Sequence, residues 1–215
     1  MNVIFDNIDT FLRGFGGTLT LLGLTTLFAL PFGLLLAAMR VSPVASLRAT
    51  STVYVEVLRN TPLLLVFTFF SVIITYISGA LPFQVAAVLA LTIYTAPFFA
   101  EAIRSGINGV PVGQAEAARS IGMTFGQTLG LVILPQAVRS VVPPLINVII
   151  ALTKNTSVAG AFFIFELFNV GREVANANGN AVVAVFLGVA FFYLIITVPL
   201  GQLADHIERR VAVRR

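Results

Sequence analysis

Glu56 and Arg59 stand three residues apart, and so do Glu101 and Arg104. On a helix, i,i+3 spacing brings the two charges of each pair onto one face. Lys154, the single lysine of the chain, is followed directly by Asn155, Thr156 and Ser157. Such a run can hold a zwitterion, because the ammonium pairs a carboxylate while the neutral oxygens accept amino hydrogens. The chemistry open to these residues is ion pairing and polar-ligand binding. Bond-making chemistry is poorly supplied. There is no cysteine and one histidine, His206, which excludes disulfides, thiolate metal sites, multi-histidine centres and the HExxH pattern. A Gly-x-x-x-x-Gly-Lys-Ser/Thr phosphate loop is also missing from the sequence, so ATP is not held here in that manner.

The elements that must carry these residues are apolar. Of 215 residues 58% are hydrophobic and 10% charged, with a mean hydropathy of +0.98. Soluble domains carry about 25% charged side chains. So few charges cannot solvate a globule of this size, and the reading is an all-α integral membrane protein. A crossing takes roughly 20 apolar residues. Five segments qualify as transmembrane helices: Gly14–Met39, Thr52–Ser78, Phe83–Ile103, Gln136–Thr153 and Ala181–Ala204. They form one transmembrane domain over residues 1–215. The N-terminal stretch lacks a basic segment, so no cleavable signal peptide is expected. Residues Val3–Arg13 place Phe5, Ile8 and Leu12 at helical spacing, which fits either an interfacial helix or a frayed end.

Five crossings put the termini on opposite sides. Seven basic residues (Arg40, Arg48, Arg119, Arg209, Arg210, Arg214, Arg215) then face three (Arg13, Lys154, Arg172) across the membrane. The richer side is cytoplasmic by the positive-inside bias. This places the C-terminus inside and the N-terminus outside, and it accounts for the net charge of +4 without nucleic acid.

Ser105–Pro135, about 30 residues, is long for a connection in a compact membrane protein. Its centre, Gly113 to Gly122, includes Ala115, Glu116, Ala117, Ala118 and Arg119. These residues favour helix, and Gly122 can adopt the left-handed conformation that stops one. A short Ala-rich helix follows, which either offers a close approach to another protein or sits solvated in a loop.

Glu116-Ala117-Ala118, Gly122 three residues on, and Val132-Ile133-Leu134-Pro135 resemble the EAA loop of ABC-importer permeases, E-A-A-x3-G-x9-I-x-L-P. Val132 replaces the pattern's first Ile. Flanking stretches resemble the polar amino-acid branch over nearly the whole chain: Gly14–Leu22, Tyr54–Leu64 with Arg59-Asn60-Thr61-Pro62, Ala100–Ile107, and Lys154–Val158. The branch usually has Gly where Asn60 stands, and Leu where Val158 stands. The resemblance implies an importer permease fold with a five-span core, paired with an identical or related second permease. It further implies two cytoplasmic ATPase subunits carrying ATP and Mg, an extracytoplasmic solute-binding protein, and no cofactor or catalysis in this chain. Glu116, Ala117, Ala118 and Gly122 would then belong to a coupling helix seated on the ATPase. Lys154, Asn155, Thr156 and Ser157 would lie on the substrate pathway.

Other readings of the same residues stay open at this level. Reflecting the second and third spans about residue 80 sets Glu56 level with Arg104 and Arg59 level with Glu101, giving two crossed ion pairs or a gate. Snorkelling to the interface or direct substrate contact are the alternatives. Lys154 lies about 20 Å beyond Val141 at helical rise, so it marks either a pathway or an ordinary polar helix end. Pro143-Pro144 free backbone carbonyls that protein or cavity water must satisfy, which points the fourth span inward. One rival to an ATP-driven importer is a secondary transporter or channel, whose uptake would survive ATP depletion while its ion gradient held. The other is an intramembrane enzyme, which would want a Ser–His or metal constellation in the bilayer, where His206 does not lie. Among substrates the order of expectation is glutamate, then glutamine, then basic amino acids.

Overall fold

The computed structural model describes residues 2–78 and 82–212, and among these all regular structure is helical. The expected turn at Ser78–Pro82 falls mostly outside the described residues, as do Arg214 and Arg215 of the tail. In chain order the helices are α1 (Asn2–Asp6), α2 (Ile8–Arg40), α3 (Ala45–Arg59), α4 (Leu63–Thr68), α5 (Thr75–Ser78) and α6 (Phe83–Asn108). They continue with α7 (Val112–Ser120), α8 (Phe125–Gln127), α9 (Leu134–Ala161), α10 (Leu167–Ala177) and α11 (Val182–Ala212). Two π-helical stretches, Phe69–Ile74 and Thr128–Ile133, bridge α4 to α5 and α8 to α9.

Among the described residues four helical runs are long and apolar enough to cross a membrane: Ile8–Arg40, Phe83–Asn108, Phe125–Ala161 and Val182–Arg210. A fifth crossing requires joining Ala45–Arg59 to Leu63–Ile74, which meet at 101°. The continuous helix expected over Thr52–Ser78 is therefore two. Proline at 62 disfavours helical backbone at Thr61, and the α3 bonds end with Asn60 and Thr61 donating to Glu56 and Leu58.

The N-terminal expectation also changes. Residues 8–13 belong to α2, so Val3–Arg13 is not a separate interfacial helix. Phe11 is fully buried and stacks on Phe192 at 5.8 Å. Leu167, Val170, Val185 and Val189 complete its surroundings. That apolar seat draws the start of α2 into the bundle.

Helix α2 packs along α6, α6 on α9, and α9 on α11. A Cβ at Gly106 would lie 2.2 Å from Val141 Cγ2, so α6 and α9 approach closely where the side chain is missing. Without a hydrophobic drive between helices in lipid, such close backbone packing is a main source of association.

The expected loop Ser105–Pro135 is mostly helix. Helix α6 runs on to Asn108, and a helical run resumes at Phe125, leaving Gly109–Pro111 and Ile121–Thr124 as the irregular pieces around α7. Thr124 and Gln127 form a reciprocal capping box that restarts the chain.

Candidate functional site

Three helix ends bring five charges together. Arg40 is the last residue of α2, Glu56 and Arg59 lie in the last turn of α3, and Glu101 and Arg104 lie near the end of α6. The Arg40 guanidinium donates to Glu101 Oε2 at 2.5 Å and to Glu56 Oε1 at 3.2 Å. Arg104 donates to Glu101 Oε1 through Nε at 3.1 Å and through Nη2. Arg59 Nη1 stands 3.7 Å from Glu101 Oε2, and its guanidinium lies over the Phe98 ring. One carboxylate thus gathers three guanidiniums.

The crossed pairs expected from depth alone are half met. Arg59–Glu101 is present, but Glu56 pairs with Arg40, and no ion pair joins it to Arg104 among the described residues. Mirror symmetry about residue 80 assumed a straight second span, and the 101° elbow removes it. Arg40 is the member that the sequence reading assigned to topology alone. Its position directly after an apolar run was the available signal, since a charge ending a span must find water or a partner.

Helix α7 stands out on the surface. Pro111 precedes it, and Gly122 ends it at φ +83°. The Gly122 N–H donates to Arg119 O at 2.9 Å and the Met123 N–H to Ala118 O at 3.1 Å, the two bonds of a Schellman stop. The expected left-handed glycine is where it was placed. Glu116 and Ala117 are exposed while Ala118 is buried against the chain's own π-helical segment. Val112 and Ile121 flank the helix at 73% and 78% exposure. A short helix with small outward residues and apolar ends offers a contact face to another protein.

Lys154, Asn155, Thr156 and Ser157 all lie within α9, where successive residues turn by about 100°. They do not share a face. Lys154 is exposed, Asn155 and Ser157 are half-buried, and Thr156 is fully buried with its hydroxyl donated to Thr153 O at 2.7 Å. Ser157 Oγ donates to Lys154 O at 2.7 Å. Asn147 and Ala151 are exposed with Lys154 on one stripe at helical spacing. Asn147 was overlooked in the sequence, although its seven-residue interval to Lys154 is two helical turns.

The described residues, all-helical with several membrane-crossing runs and a surface-standing helix between two of them, have the architecture of a multi-pass membrane protein. Residues 29–213 match the family described as binding-protein-dependent transport system inner membrane component. The chain is 40% identical over 216 residues to the glutamate transport system permease protein GluC of Corynebacterium glutamicum, with 95% of each chain covered. It is 37% identical over 211 residues to the probable glutamine ABC transporter permease protein GlnM of Bacillus subtilis, covering 98% of this chain and 97% of that one. Its fold matches a crystal structure of an amino acid ABC transporter with histidines at TM-score 0.88, with 29% identity and 96% of both chains covered. The chain belongs to the binding-protein-dependent inner membrane component family, as the integral-membrane permease subunit of an amino-acid ABC importer. Permeases of this family move substrate by alternating access and are not themselves catalytic.

Proposed function

We propose that this permease serves an importer for glutamate, with glutamine the next candidate and basic amino acids the third. Two ATPase subunits bind ATP and Mg on the cytoplasmic side, an extracytoplasmic binding protein delivers the substrate, and an identical or related permease completes the pore. The observation that carries this reading is α7, an exposed helix held between Pro111 and the left-handed Gly122 directly after α6. In this reading Glu116 and Ala117 face the ATPase, while buried Ala118 seats α7 on the permease and Gly122 ends it. The order of substrates is supported by the glutamate and glutamine relatives. In this orientation α7 and the C-terminus are cytoplasmic, and the N-terminus is outside.

The test is reconstitution with the ATPase and binding protein in vesicles. Uptake of labelled glutamate should require ATP and loaded binding protein and should exceed uptake of glutamine and arginine. Uptake that persists without ATP on an imposed ion gradient would overturn the reading.

On the pathway, Lys154 meets the substrate carboxylate, flanked by half-buried Ser157 on one side and Asn155 on the other, with Thr156 turned into the bundle. Lys154→Ala should lower uptake about 10- to 150-fold, the weight of a charge-assisted hydrogen bond of roughly 1.5–3 kcal/mol. Membrane insertion should be unchanged. Lys154→Arg should also fail, because the guanidinium fork is bulkier than an ammonium and bonds differently. Full uptake by the Ala variant removes Lys154 from the site, and full uptake by Arg makes it an interface anchor.

A further inference from the structure

Glu166 is a fully buried carboxylate that none of the roles above employs. It begins α10, accepting the Phe168 N–H at 2.9 Å and the Asn169 N–H at 2.7 Å. Those two bonds are an N-terminal cap. The carboxylate does more than that. Oε2 also accepts the Tyr193 hydroxyl of α11 at 2.9 Å and the Thr18 hydroxyl of α2 at 3.5 Å. Thr18 in turn accepts the Leu167 N–H at 3.1 Å. Gly160 of α9 backs directly onto the same carboxylate. Four helices therefore meet on one acidic group.

The slot is shaped for it. A Cβ on Gly160 would fall 2.2 Å from Glu166 Oε1, and one on Gly17 would fall 2.5 Å from Phe165 O. Burial pushes the carboxyl above its ordinary range, while its four donors pull it back. The turn before it is strained outward: Phe163 holds φ +60°, is 82% exposed, and lies under the Arg172 guanidinium at 4.6 Å. Left-handed backbone at a bulky residue costs about 1–2 kcal/mol. Surrounding contacts must hold it there.

We propose that Glu166 is a positioning residue for transport: held by Tyr193 and Thr18 against Gly160, it sets the rotation at which α9 presents Lys154 and Ser157. The strained turn, α10 and the outer part of α9 then move as one body. This rests on the pathway reading of Lys154 and Ser157 given above. A cap alone would need the two backbone bonds and neither Tyr193 nor Thr18.

Tyr193→Phe separates the two roles, because it deletes one hydroxyl and leaves the cap and ring packing intact. The chain has no cysteine, so Ser157→Cys can report the setting of α9 in the assembled importer. Its labelling rate with a membrane-impermeant maleimide is measured alone and with Tyr193→Phe or Glu166→Gln. Both additions should change the rate at least about threefold, whereas Thr197→Val, whose hydroxyl serves only Tyr193 O, should not. In chains that keep Ser157, Tyr193→Phe should lower maximal uptake by roughly an order of magnitude, as for one hydrogen bond to a charged acceptor. The half-saturating concentration of loaded binding protein should stay put. Unchanged labelling in Tyr193→Phe overturns the proposal whatever Glu166→Gln does, and changed labelling with normal maximal uptake overturns the transport role. A parent chain that takes up no amino acid fails the functional reading instead, and Ser157→Cys labelling still decides whether Glu166 sets α9.

Discussion

Glu101→Gln should damage the permease more than loss of any other member of its charge cluster. Glu101 faces Arg40, Arg59 and Arg104 at once, with its side chain 22% exposed. Removing its charge leaves Arg59 and Arg104 without a carboxylate partner and Arg40 with only the half-exposed Glu56, at the junction of α2, α3 and α6. Breaking a buried pair from one side costs about 3–5 kcal/mol, and the partial exposure here places the effect near the lower end. Arg40→Gln should cost less, because Glu101 keeps two cations and Glu56, half open to solvent, returns to water. Glu56→Gln should cost least, within the range of about 0–1 kcal/mol for exposed pairs. Denaturation midpoints of the purified permease in detergent give the order. A double-mutant cycle should find coupling between Glu56 and Arg40 and almost none between Glu56 and Arg104. Equal damage from Arg40→Gln and Glu101→Gln would show that the cluster is not organised on Glu101.

That cluster also marks where the sequence was legible and where it was not. Apolar runs identified the long helices, since one side chain in lipid reads much like the next and length is the main constraint. Gly122 was legible because the left-handed stop is a property of one residue and its neighbours. The elbow at Asn60-Thr61-Pro62 was equally local, yet a hydropathy window averages across it and joins α3 to α4. Arg40 was seen as a charge with a sidedness, whereas its partners lie 16 and 61 residues away. Glu166 was harder still. Its burial depends on a hydroxyl 148 residues earlier and another 27 residues later, and no sequence periodicity announces either. Thr156 teaches a middle lesson: helical geometry alone says that four consecutive polar residues cannot share a face, but which of them turns inward is set by the packing of α9.

Glu116→Lys and Gly122→Asp should each leave the permease inserted and folded but uncouple it from its ATPase. Glu116 is exposed on α7, so reversing its charge meets no buried partner within the chain. Gly122 has open space where a Cβ would be built, although its φ of +83° strains most side chains. Aspartate is among the residues that tolerate this conformation, so the local cost stays near 1 kcal/mol. What both changes alter is the surface α7 presents. If a partner groove closes over that surface, an added charge must be desolvated there, and a hot-spot loss of about 2 kcal/mol or more follows. That corresponds to roughly a 30-fold fall in uptake and in binding-protein-stimulated ATP hydrolysis. Gly179→Asp supplies the control, since it too adds a carboxylate into open space but lies between α10 and α11, remote from α7 in the chain. It should transport at the parental rate. Normal uptake and normal stimulation in both Glu116→Lys and Gly122→Asp would mean that α7 is a solvated connection and that the ATPase grips the permease elsewhere.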